Sequence, residues 1–289
     1  MDFHRPRSWS EAVATKAAHP DAVAIQGGTD VMVELNFDHR RPDHLLDLTG
    51  VAELAEWSSD DGRLRIGAGV TYTRLIAELG HRLPGLAMAA RTVGSPQIRN
   101  RGTVGGNLGT ASPAGDCHPA LLAAHAGVEV ESVRGAREIA VESFFAGVKR
   151  SALAPDELIK AVFLRPPTGP QQFAKIGTRN AMVISVAAFG IALHPDDQHV
   201  GTGIGSAAPT PRRAVGAETV LAGELAAADL WTSRGDLPAG LAERFGELVA
   251  QSGDPIDDVR GTAAYRLHAL RVLARRTLAW AWADYQRAA

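Results

Sequence analysis

The sequence predicts an α+β fold built of three small units. Its 289 residues are 45% hydrophobic, which is enough to bury a substantial core and favours more than one compact unit. Strand-like runs alternate with helical patterns up to Pro166 and Pro167, and neither proline can continue a strand ladder. We therefore predict a domain over residues 1–167, with subdomains at about 1–57 and 58–167, and a second domain over residues 168–289.

The first subdomain combines short strands with two helices. Ser8 is a residue type that caps helices, and the pair His19-Pro20 ends the helix that follows. Glycines directly after an apolar run indicate that a strand turns there into the next element. The predicted elements are a helix over Trp9–Ala18, a strand over 22–25, a helix over Val31–Asn36 and a strand over 45–48.

The second subdomain contains a long segment rich in Gly, Asn and Pro. We predict that this segment, residues 94–116, is a loop. A helix over 117–126 follows it, and Gly127 is placed to close that helix. The remaining predicted elements are a helix over 73–79 and strands over 64–66, 128–133 and 157–164.

The third unit begins with an antiparallel hairpin and ends with helices. The run His194-Pro195-Asp196-Asp197 has the composition of a turn, and it separates strands predicted over 182–193 and 199–204. Helices are predicted over 214–221, 239–251 and about 262–286. The last helix carries apolar residues close to helical spacing, at Tyr265, Ala269, Val272, Leu273 and Leu278.

Composition excludes several classes of function. A net charge of -2 gives no indication of nucleic-acid binding. No apolar run approaches the roughly 20 residues of a membrane helix, and the N-terminus lacks the apolar segment of a secretory signal, so we expect a cytoplasmic protein. Cys117 is the only cysteine, which excludes an internal disulfide and an iron–sulfur cluster held by four cysteines. We predict no metal ligands, and His118 and His125 are interpreted as structural.

The first chemical motif is Ala24-Ile25-Gln26-Gly27-Gly28-Thr29-Asp30, a strand that turns into a helix. Two glycines allow positive φ and let backbone N–H groups converge on an anion, and the helix end adds a positive dipole. This arrangement suits a pyrophosphate, although the run is neither a P-loop nor a GxGxxG sequence. An ordinary tight turn in which Asp30 is the helix N-cap would also fit the residues.

The second motif covers residues 98–109 and has four glycines within eight residues. Such a density of glycine indicates that the backbone approaches another group closely. Asp116 follows at the start of the next predicted helix, where it caps the helix or accepts hydrogen bonds from a ligand hydroxyl. Two glycine-rich loops in one chain favour a dinucleotide.

Two further motifs lie in the third unit. Phe173-Ala174-Lys175-Ile176-Gly177-Thr178-Arg179 places a lysine inside an apolar strand, where its charge is either near a ligand or extended to the surface. We assign no chemistry to the segment over residues 257–266: Thr262 is placed to cap the long helix, and the arginines are placed to pair with acidic neighbours.

Together the segments GGTD, IRNRGTVGGNLGTASPAGD, FAKIGTR and DDVRGTAAYR resemble the medium, FAD-binding subunit of the xanthine dehydrogenase and carbon monoxide dehydrogenase family of molybdenum hydroxylases. The resemblance covers nearly the whole chain. It implies a vanillyl-alcohol-oxidase (PCMH)-type FAD-binding domain of two α/β subdomains, followed by a small α+β domain of the CO dehydrogenase flavoprotein C-terminal type. It also implies FAD bound noncovalently.

The resemblance further implies which residues bind FAD. The pyrophosphate loop would be formed by Ala24, Ile25, Gln26, Gly27, Gly28, Thr29, Asp30 and Val31. The opposing wall would be formed by Gly102, Thr103, Gly105, Gly106 and Asn107. Asp116 matches an FAD ligand of the family, Ile159 matches a backbone contact and Lys175 matches a lysine near the flavin.

The resemblance implies an electron-transfer subunit whose substrate site lies on another chain. Its partners would be a molybdopterin-binding large subunit and a [2Fe–2S] small subunit in a heterotrimer, with NAD+ or another electron acceptor. Thr29 occupies a position where some relatives carry His, which favours the xanthine dehydrogenase-like branch over a carbon monoxide dehydrogenase-like or other N-heterocycle- or aldehyde-oxidising complex. Two different classes also fit the motifs, a stand-alone noncovalent flavin oxidoreductase and a non-enzymatic nucleotide-binding or assembly protein.

Overall fold

The first unit of the chain is a three-stranded parallel sheet with two connecting helices. The computed structural model describes residues 1–288. The elements are β1 (Asp2–His4), α1 (Trp9–Ala18), β2 (Val23–Ile25), α2 (Val31–Asn36) and β3 (His44–Asp47). The strand order is β1-β3-β2, with both pairings parallel. The Ser8 hydroxyl accepts a hydrogen bond from the Glu11 N–H and caps α1, as its residue type predicts.

The second unit is a five-stranded antiparallel sheet with helices packed against it. Two 3-10 turns, Leu48–Gly50 and Ala52–Ala55, lead into it. Its elements are β4 (Trp57–Asp60), β5 (Arg63–Gly67), α3 (Tyr72–Arg74) with a π-helical turn (Leu75–Leu79), α4 (Pro84–Arg91), α5 (Pro96–Arg99), α6 (Val104–Thr110), α7 (Cys117–Ala123), β6 (Gly127–Ser132), β7 (Gly135–Ala140), α8 (Val141–Phe144), β8 (Phe145–Gly147), β9 (Arg150–Ser151) and β10 (Leu158–Leu164). The strand order is β4-β5-β10-β6-β7, so the last strand in sequence, β10, lies at the centre of the sheet.

The third unit is a three-stranded antiparallel sheet covered by helices. Its elements are β11 (Gln171–Gly177), β12 (Ser185–His194), β13 (His199–Gly205), α9 (Val215–Ala227), α10 (Leu230–Ser233), α11 (Leu241–Gln251) and α12 (Ala263–Arg287). The Thr262 hydroxyl caps α12 by accepting a hydrogen bond from the Tyr265 N–H, which confirms the predicted cap. α12 packs on one side of β12 and α7 of the second unit packs on the other, so β12 is buried almost throughout.

Glycine makes this close packing of α7 on the sheet possible. A Cβ atom at Gly203 in β13 would lie 2.1 Å from the carbonyl oxygen of Pro119 in α7. No side chain fits there, so the helix backbone rests directly on the strand. The second and third units are therefore closely packed against each other at this point.

Two hydrophobic cores organise the chain. One core extends through both of the first two units, from Trp9 to Leu164, and reaches Phe173 and Ala188 of the third sheet. The other core lies between the third sheet and its helices, from Ala187 to Tyr285. We propose that the domains divide after residue 167, because the second core is built only from residues beyond that point.

The predicted loop over residues 94–116 is wrong, because this segment contains α5 and α6. Ser95 and Thr103 cap these two helices by accepting hydrogen bonds from the N–H groups of Ile98 and Gly106. Glycine normally disfavours helix, but tertiary contacts override that preference here. A Cβ at Gly105 would lie 2.5 Å from the Ala68 Cβ, so helix α6 needs glycine where it passes the end of β5.

Other predicted boundaries also differ from the structure. The helix that starts at Cys117 ends at Ala123, because His125 adopts a left-handed backbone conformation and Gly127 begins β6. The helix predicted over 214–221 continues to Ala227. Helix α4 and the edge strands β4 and β7 were not predicted. Among the described residues, no helix has both the length and the apolar character needed to cross a membrane.

Candidate functional site

The turn between β2 and α2 has backbone groups that are free to bind a ligand. Gly28 has a φ of 75°, in the left-handed region that glycine adopts without strain. Within residues 1–288, the N–H groups of Gly27, Gly28 and Thr29 form no hydrogen bond. Asp30 occupies the N-cap position of α2, but its side chain forms no capping hydrogen bond, so the alternative of a turn capped by this side chain does not hold. Its carboxylate accepts a hydrogen bond from the Thr110 hydroxyl at 3.2 Å.

This turn lies directly against the segment that precedes α6. A Cβ at Gly27 would lie 2.1 Å from the Arg101 carbonyl oxygen and 3.1 Å from the Gly102 nitrogen. The two glycine-rich motifs, residues 24–30 and 98–109, thus adjoin and form one wall, which we call the glycine wall. Gln26 Oε1 and Asn107 Oδ1 are buried beside this wall without a hydrogen-bond partner in the described chain. Buried acceptors of this kind are costly unless a donor satisfies them, and a polar ligand would supply one.

The glycines around α6 differ in what they contact. The Gly105 N–H donates to the Ala68 carbonyl at 3.2 Å, and Gly105 is buried. Gly102 is buried against the ring of Tyr72, whose N–H donates to its carbonyl. Gly106, in contrast, is exposed, and only the Thr103 hydroxyl would lie near a Cβ there. Gly106 therefore presents open backbone, whereas Gly102 and Gly105 hold α6 in place.

A buried ion pair forms the other part of the candidate site. The Lys175 ammonium on β11 donates to Asp116 Oδ2 at 2.6 Å and to the carbonyls of Thr92 and Val183. The side chains of Asp116 and Lys175 are only 9% and 10% exposed. Lys175 is therefore not an extended surface lysine. Ser185 donates to the other oxygen of Asp116, Oδ1, at 3.1 Å, and the Thr92 hydroxyl is 3.2 Å from Oδ2.

The electrostatics of this pair follow from its burial. Burial raises the pKa of the Asp116 carboxyl, while Lys175 and the hydrogen bonds from Ser185 and Thr92 oppose that rise. Asp116 makes no capping bond to α7, so its carboxylate serves contacts between distant parts of the chain. The neighbouring Cys117 is fully buried, and burial raises the pKa of its thiol far above the ordinary value. A protonated, buried thiol is not a nucleophile for covalent flavin attachment.

A cleft of about 640 Å³ opens above the ion pair. It is enclosed by the end of α4, the segment before α5, strand β11 and residues 180–182, and Lys175 and Thr92 lie on its wall. Such a volume is in the range of small-molecule and cofactor sites. Arg91 and Arg99 bring positive charge to the cleft, and the Arg99 guanidinium donates to the carbonyls of Arg91, Val93 and Gly94.

The predicted site residues therefore fall into two groups. Gly27 lies against Gly102, and Asp30 contacts Thr110 of α6, so the turn over residues 26–30 adjoins the segment that contains Gly102, Thr103, Gly106 and Asn107. Ala24, Ile25 and Val31 flank the turn. Asp116 and Lys175 form the second group. Ile159 is buried on β10, where its register with β6 shifts, and its Cδ1 would lie 3.7 Å from a Cβ at Gly109 of α6.

Two residues that support the site were not found from the sequence. The hydroxyl groups of Thr92 and Ser185 donate hydrogen bonds to the Asp116 carboxylate. They lie 24 and 69 residues away in sequence, so no local pattern connects them with Asp116. His118 is fully buried and its Nε2 lies 3.2 Å from the Asn107 carbonyl oxygen, which links α7 to α6. His118 packs on Phe145 and His125 packs on His199, so the two histidines do not share a site.

The chain matches two protein-family models. Residues 1–167 match the FAD binding domain in molybdopterin dehydrogenase, and residues 172–281 match the CO dehydrogenase flavoprotein C-terminal domain. The chain is 31% identical to the xanthine dehydrogenase FAD-binding subunit of Escherichia coli O157:H7, over 96% of this chain and 94% of that protein. It is 36% identical to the nicotinate dehydrogenase FAD-subunit of Eubacterium barkeri, over 70% and 71% of the two chains.

Solved structures give the same result for the fold. A chain of the reconstituted CO dehydrogenase from Oligotropha carboxidovorans superposes with a TM-score of 0.89 at 28% identity, and the match covers 98% of each chain. A match of this extent covers both domains of the chain.

Proposed function

The chain belongs to the family of FAD-binding subunits of molybdopterin dehydrogenases, and we propose that it carries electrons between an iron–sulfur partner chain and a soluble acceptor. It is an oxidoreductase subunit whose cofactor is FAD. When bound, FAD supplies the two-electron redox chemistry that connects one-electron iron–sulfur centres to an acceptor such as NAD+. The observation that supports our proposal most strongly is the glycine wall.

We propose that this wall binds the FAD pyrophosphate. The free N–H groups of Gly27, Gly28 and Thr29 are donors for phosphate oxygens. The exposed backbone at Gly106 leaves space on the opposite side, and Gln26 and Asn107 offer buried polar groups to the cofactor. The remaining residues would shape the wall, in keeping with the family resemblance: Ala24, Ile25, Asp30, Val31, Gly102, Thr103 and Gly105.

We propose that the flavin end lies towards the cleft above Asp116 and Lys175. The ion pair fixes α7 of the first domain against β11 and β12 of the second, so it would hold the two sides of the cleft at a constant spacing. The Lys175 charge would favour electron density on the flavin. Ile159, on the strand behind α6, would contribute its backbone to the cofactor contact.

Arg91 is the residue that we propose for binding the acceptor NAD+. It lines the cleft, and within residues 1–288 its guanidinium forms no hydrogen bond or ion pair. An unpaired guanidinium matches the pyrophosphate of a dinucleotide. Arg91→Gln should raise the KM for NADH about tenfold, equivalent to about 1.4 kcal/mol, with little change in kcat. Arg276→Gln, at an exposed position on α12, is the matched control and should leave the KM unchanged.

For the whole complex we propose a molybdopterin-binding large subunit, a [2Fe–2S] small subunit and this chain, working in the cytoplasm as a heterotrimer. The single cysteine supports this division of labour, because the chain lacks the ligands for a cluster held by cysteines. We favour a xanthine dehydrogenase-like substrate class, supported by similarity over nearly the full length to a xanthine dehydrogenase subunit. Other N-heterocycles are the second candidate, supported by the similarity to a nicotinate dehydrogenase subunit.

Separate assays of the two halves of the reaction test this proposal. The isolated chain, loaded with FAD, should reduce a dye with NADH but should show no activity towards xanthine, nicotinate or carbon monoxide. Addition of the two partner chains should restore activity towards one substrate and so identify the substrate class. Substrate-dependent dye reduction by the isolated chain would contradict an electron-transfer role and would support a stand-alone oxidoreductase.

A further inference from the structure

Three histidines from separate segments converge at the first sheet, away from the glycine wall. His4 lies on β1, His19 directly follows α1 and His44 begins β3. One ring nitrogen from each of them lies within 4.8 Å of the other two. The ring centroids of His4 and His19 are 4.5 Å apart, and those of His19 and His44 are 4.2 Å apart. Among the described residues, this is the only group of three or more His, Cys, Asp or Glu side chains whose possible metal-ligand atoms lie this close together.

The spacing of two of the three nitrogens is that of ligands around a single tetrahedral ion. His4 Nε2 lies 3.2 Å from His44 Nδ1. Zinc–nitrogen bonds of about 2.0–2.1 Å in tetrahedral geometry place two ligand nitrogens about 3.3 Å apart. The observed separation therefore needs almost no rearrangement. A small movement of His19 would complete a three-nitrogen site.

The backbone holds these three side chains in position. β1 and β3 pair in parallel, with Asp2 opposite His44 and His4 opposite Leu46, so both histidines project from the same face. The His19 N–H donates to the Thr15 carbonyl and fixes this histidine at the C-terminal end of α1. The negative end of a helix dipole favours a cation at that place.

The surroundings leave room for a fourth ligand. Asp2 Oδ2 is 3.7 Å from His44 Nδ1, and its side chain is 75% exposed and free to rotate towards an ion. The His44 side chain is 22% exposed, so an ion from solvent can reach the cluster. A carboxylate or a water molecule therefore completes four-coordination without a change in the fold.

Packing alone does not explain the cluster. A hydrogen bond between His4 and His44 accounts for one nitrogen of each ring. The His19 ring has no hydrogen-bond partner in residues 1–288, yet it stacks against the other two imidazoles. We propose that His4, His19 and His44 bind a divalent transition-metal ion, with Zn²⁺ the preferred ion. The bound ion would be structural and would cross-link β1, the end of α1 and β3. Neutral imidazole is a preferred ligand of zinc.

The test uses the FAD-loaded full chain without an affinity tag, after treatment with a chelator. Calorimetric titration with Zn²⁺ should give one ion per chain and a higher Tm on binding. His4→Gln, His19→Gln and His44→Gln should each weaken Zn²⁺ binding at least tenfold. The control His81→Gln changes an exposed histidine and should bind Zn²⁺ as the wild type does. FAD occupancy should stay unchanged in all four variants, which separates this proposal from the proposed function.

Two results would overturn the zinc site: no saturable Zn²⁺ binding by the wild type, or an affinity that the three cluster variants do not change. X-ray absorption of the Zn²⁺-loaded wild type provides a measurement that needs no variant. It should report three imidazole nitrogens at about 2.0–2.1 Å. A shell without imidazole nitrogens would contradict the proposal even if a variant failed to fold.

Discussion

The two halves of the proposed FAD site differ in how their polar groups are used. In the glycine wall, donors at Gly27 and Gly28 and acceptors at Gln26 and Asn107 remain without partners inside the described chain. At the Asp116 carboxylate, both oxygens already accept hydrogen bonds from the protein. The glycine wall therefore has polar groups available for a ligand, whereas the Asp116–Lys175 ion pair connects the two domains. Substitutions in the glycine wall should therefore lower the affinity for FAD, whereas substitutions at the ion pair should lower the free energy of unfolding.

The largest expected effect is the loss of stability when the buried ion pair is broken. Lys175→Met leaves the Asp116 charge buried without its partner, and we expect the free energy of unfolding to fall by about 3–5 kcal/mol. Denaturant titration of the FAD-free chain measures this quantity. Lys160→Met is the matched control, because Lys160 pairs with Glu131 at a more exposed position, and it should cost at most about 1 kcal/mol. Equal losses in both variants would remove the distinction between the two halves.

The second effect concerns affinity for FAD. Gly28→Val places a side chain on the wall and strains a φ of 75°, so we expect FAD binding to weaken at least about 100-fold, or nearly 3 kcal/mol. Gly240→Val is a close control, because Gly240 has a φ of 79° and no neighbouring atom within 4 Å of a Cβ. If both variants bind FAD equally weakly, Gly28 acts only as a turn residue and the glycine wall is not the binding surface.

The third expected effect, of intermediate size, is a pH-dependent loss of stability that arises from His118. This residue contacts the Asn107 carbonyl and so connects the two halves. Burial lowers the pKa of His118 from 6.5 to about 4. The unfolded chain therefore takes up this proton at a higher pH than the folded chain, and stability falls as the pH drops from 6.5 towards 4. From the size of the shift we expect His118 to contribute roughly 2 kcal/mol to the loss of stability between pH 7 and pH 5, and His125 and His194, whose pKa values burial also lowers, to add to it.

Unfolding titrations at the two pH values check this expectation. His118→Asn removes the titrating ring, and its pH-dependent loss should be smaller than that of the wild type. His268→Gln changes an exposed histidine and should keep the wild-type dependence. A pH dependence that is identical in all three proteins would show that His118 is not its source.

The smallest effect is confined to the C-terminal helix. Thr262→Ala removes the N-cap of α12, and we expect a loss of about 1 kcal/mol in the free energy of unfolding with unchanged FAD affinity. Thr219→Ala is the control, because the Thr219 hydroxyl bonds only within α9 and caps no helix. A weaker affinity for FAD in Thr262→Ala would mean that the site extends to this helix.

Local chemistry in the sequence predicted part of the fold correctly. The caps at Ser8 and Thr262 and the helix over Trp9–Ala18 were predicted, because each depends on residues close in sequence. The family, its FAD cofactor and its fold, predicted from the resemblance of the four motifs, are confirmed. The paired arginines of the fourth motif are also confirmed, since Arg260 and Arg266 both donate to Asp258.

Long-range contacts explain what the sequence did not predict. The glycines of α6 suggested a loop, and the approach of Gly105 to Ala68, a contact distant in sequence, explains why a helix here contains glycine. Asp116 was given two roles, cap or ligand acceptor, because its partners Lys175 and Ser185 are 59 and 69 residues away. The strand β7 was missed because most of it is exposed, and it lacks the alternation that marks a half-buried strand.

FAD binding by the glycine wall is tested most directly by titrating the purified, unmodified chain with FAD and then precipitating it with acid. We predict saturation at one FAD per chain and complete release of the flavin into the supernatant, because the buried Cys117 thiol offers no covalent attachment. A chain that is folded but does not saturate with FAD, or one that keeps the yellow colour in the acid pellet, would contradict noncovalent binding at this wall.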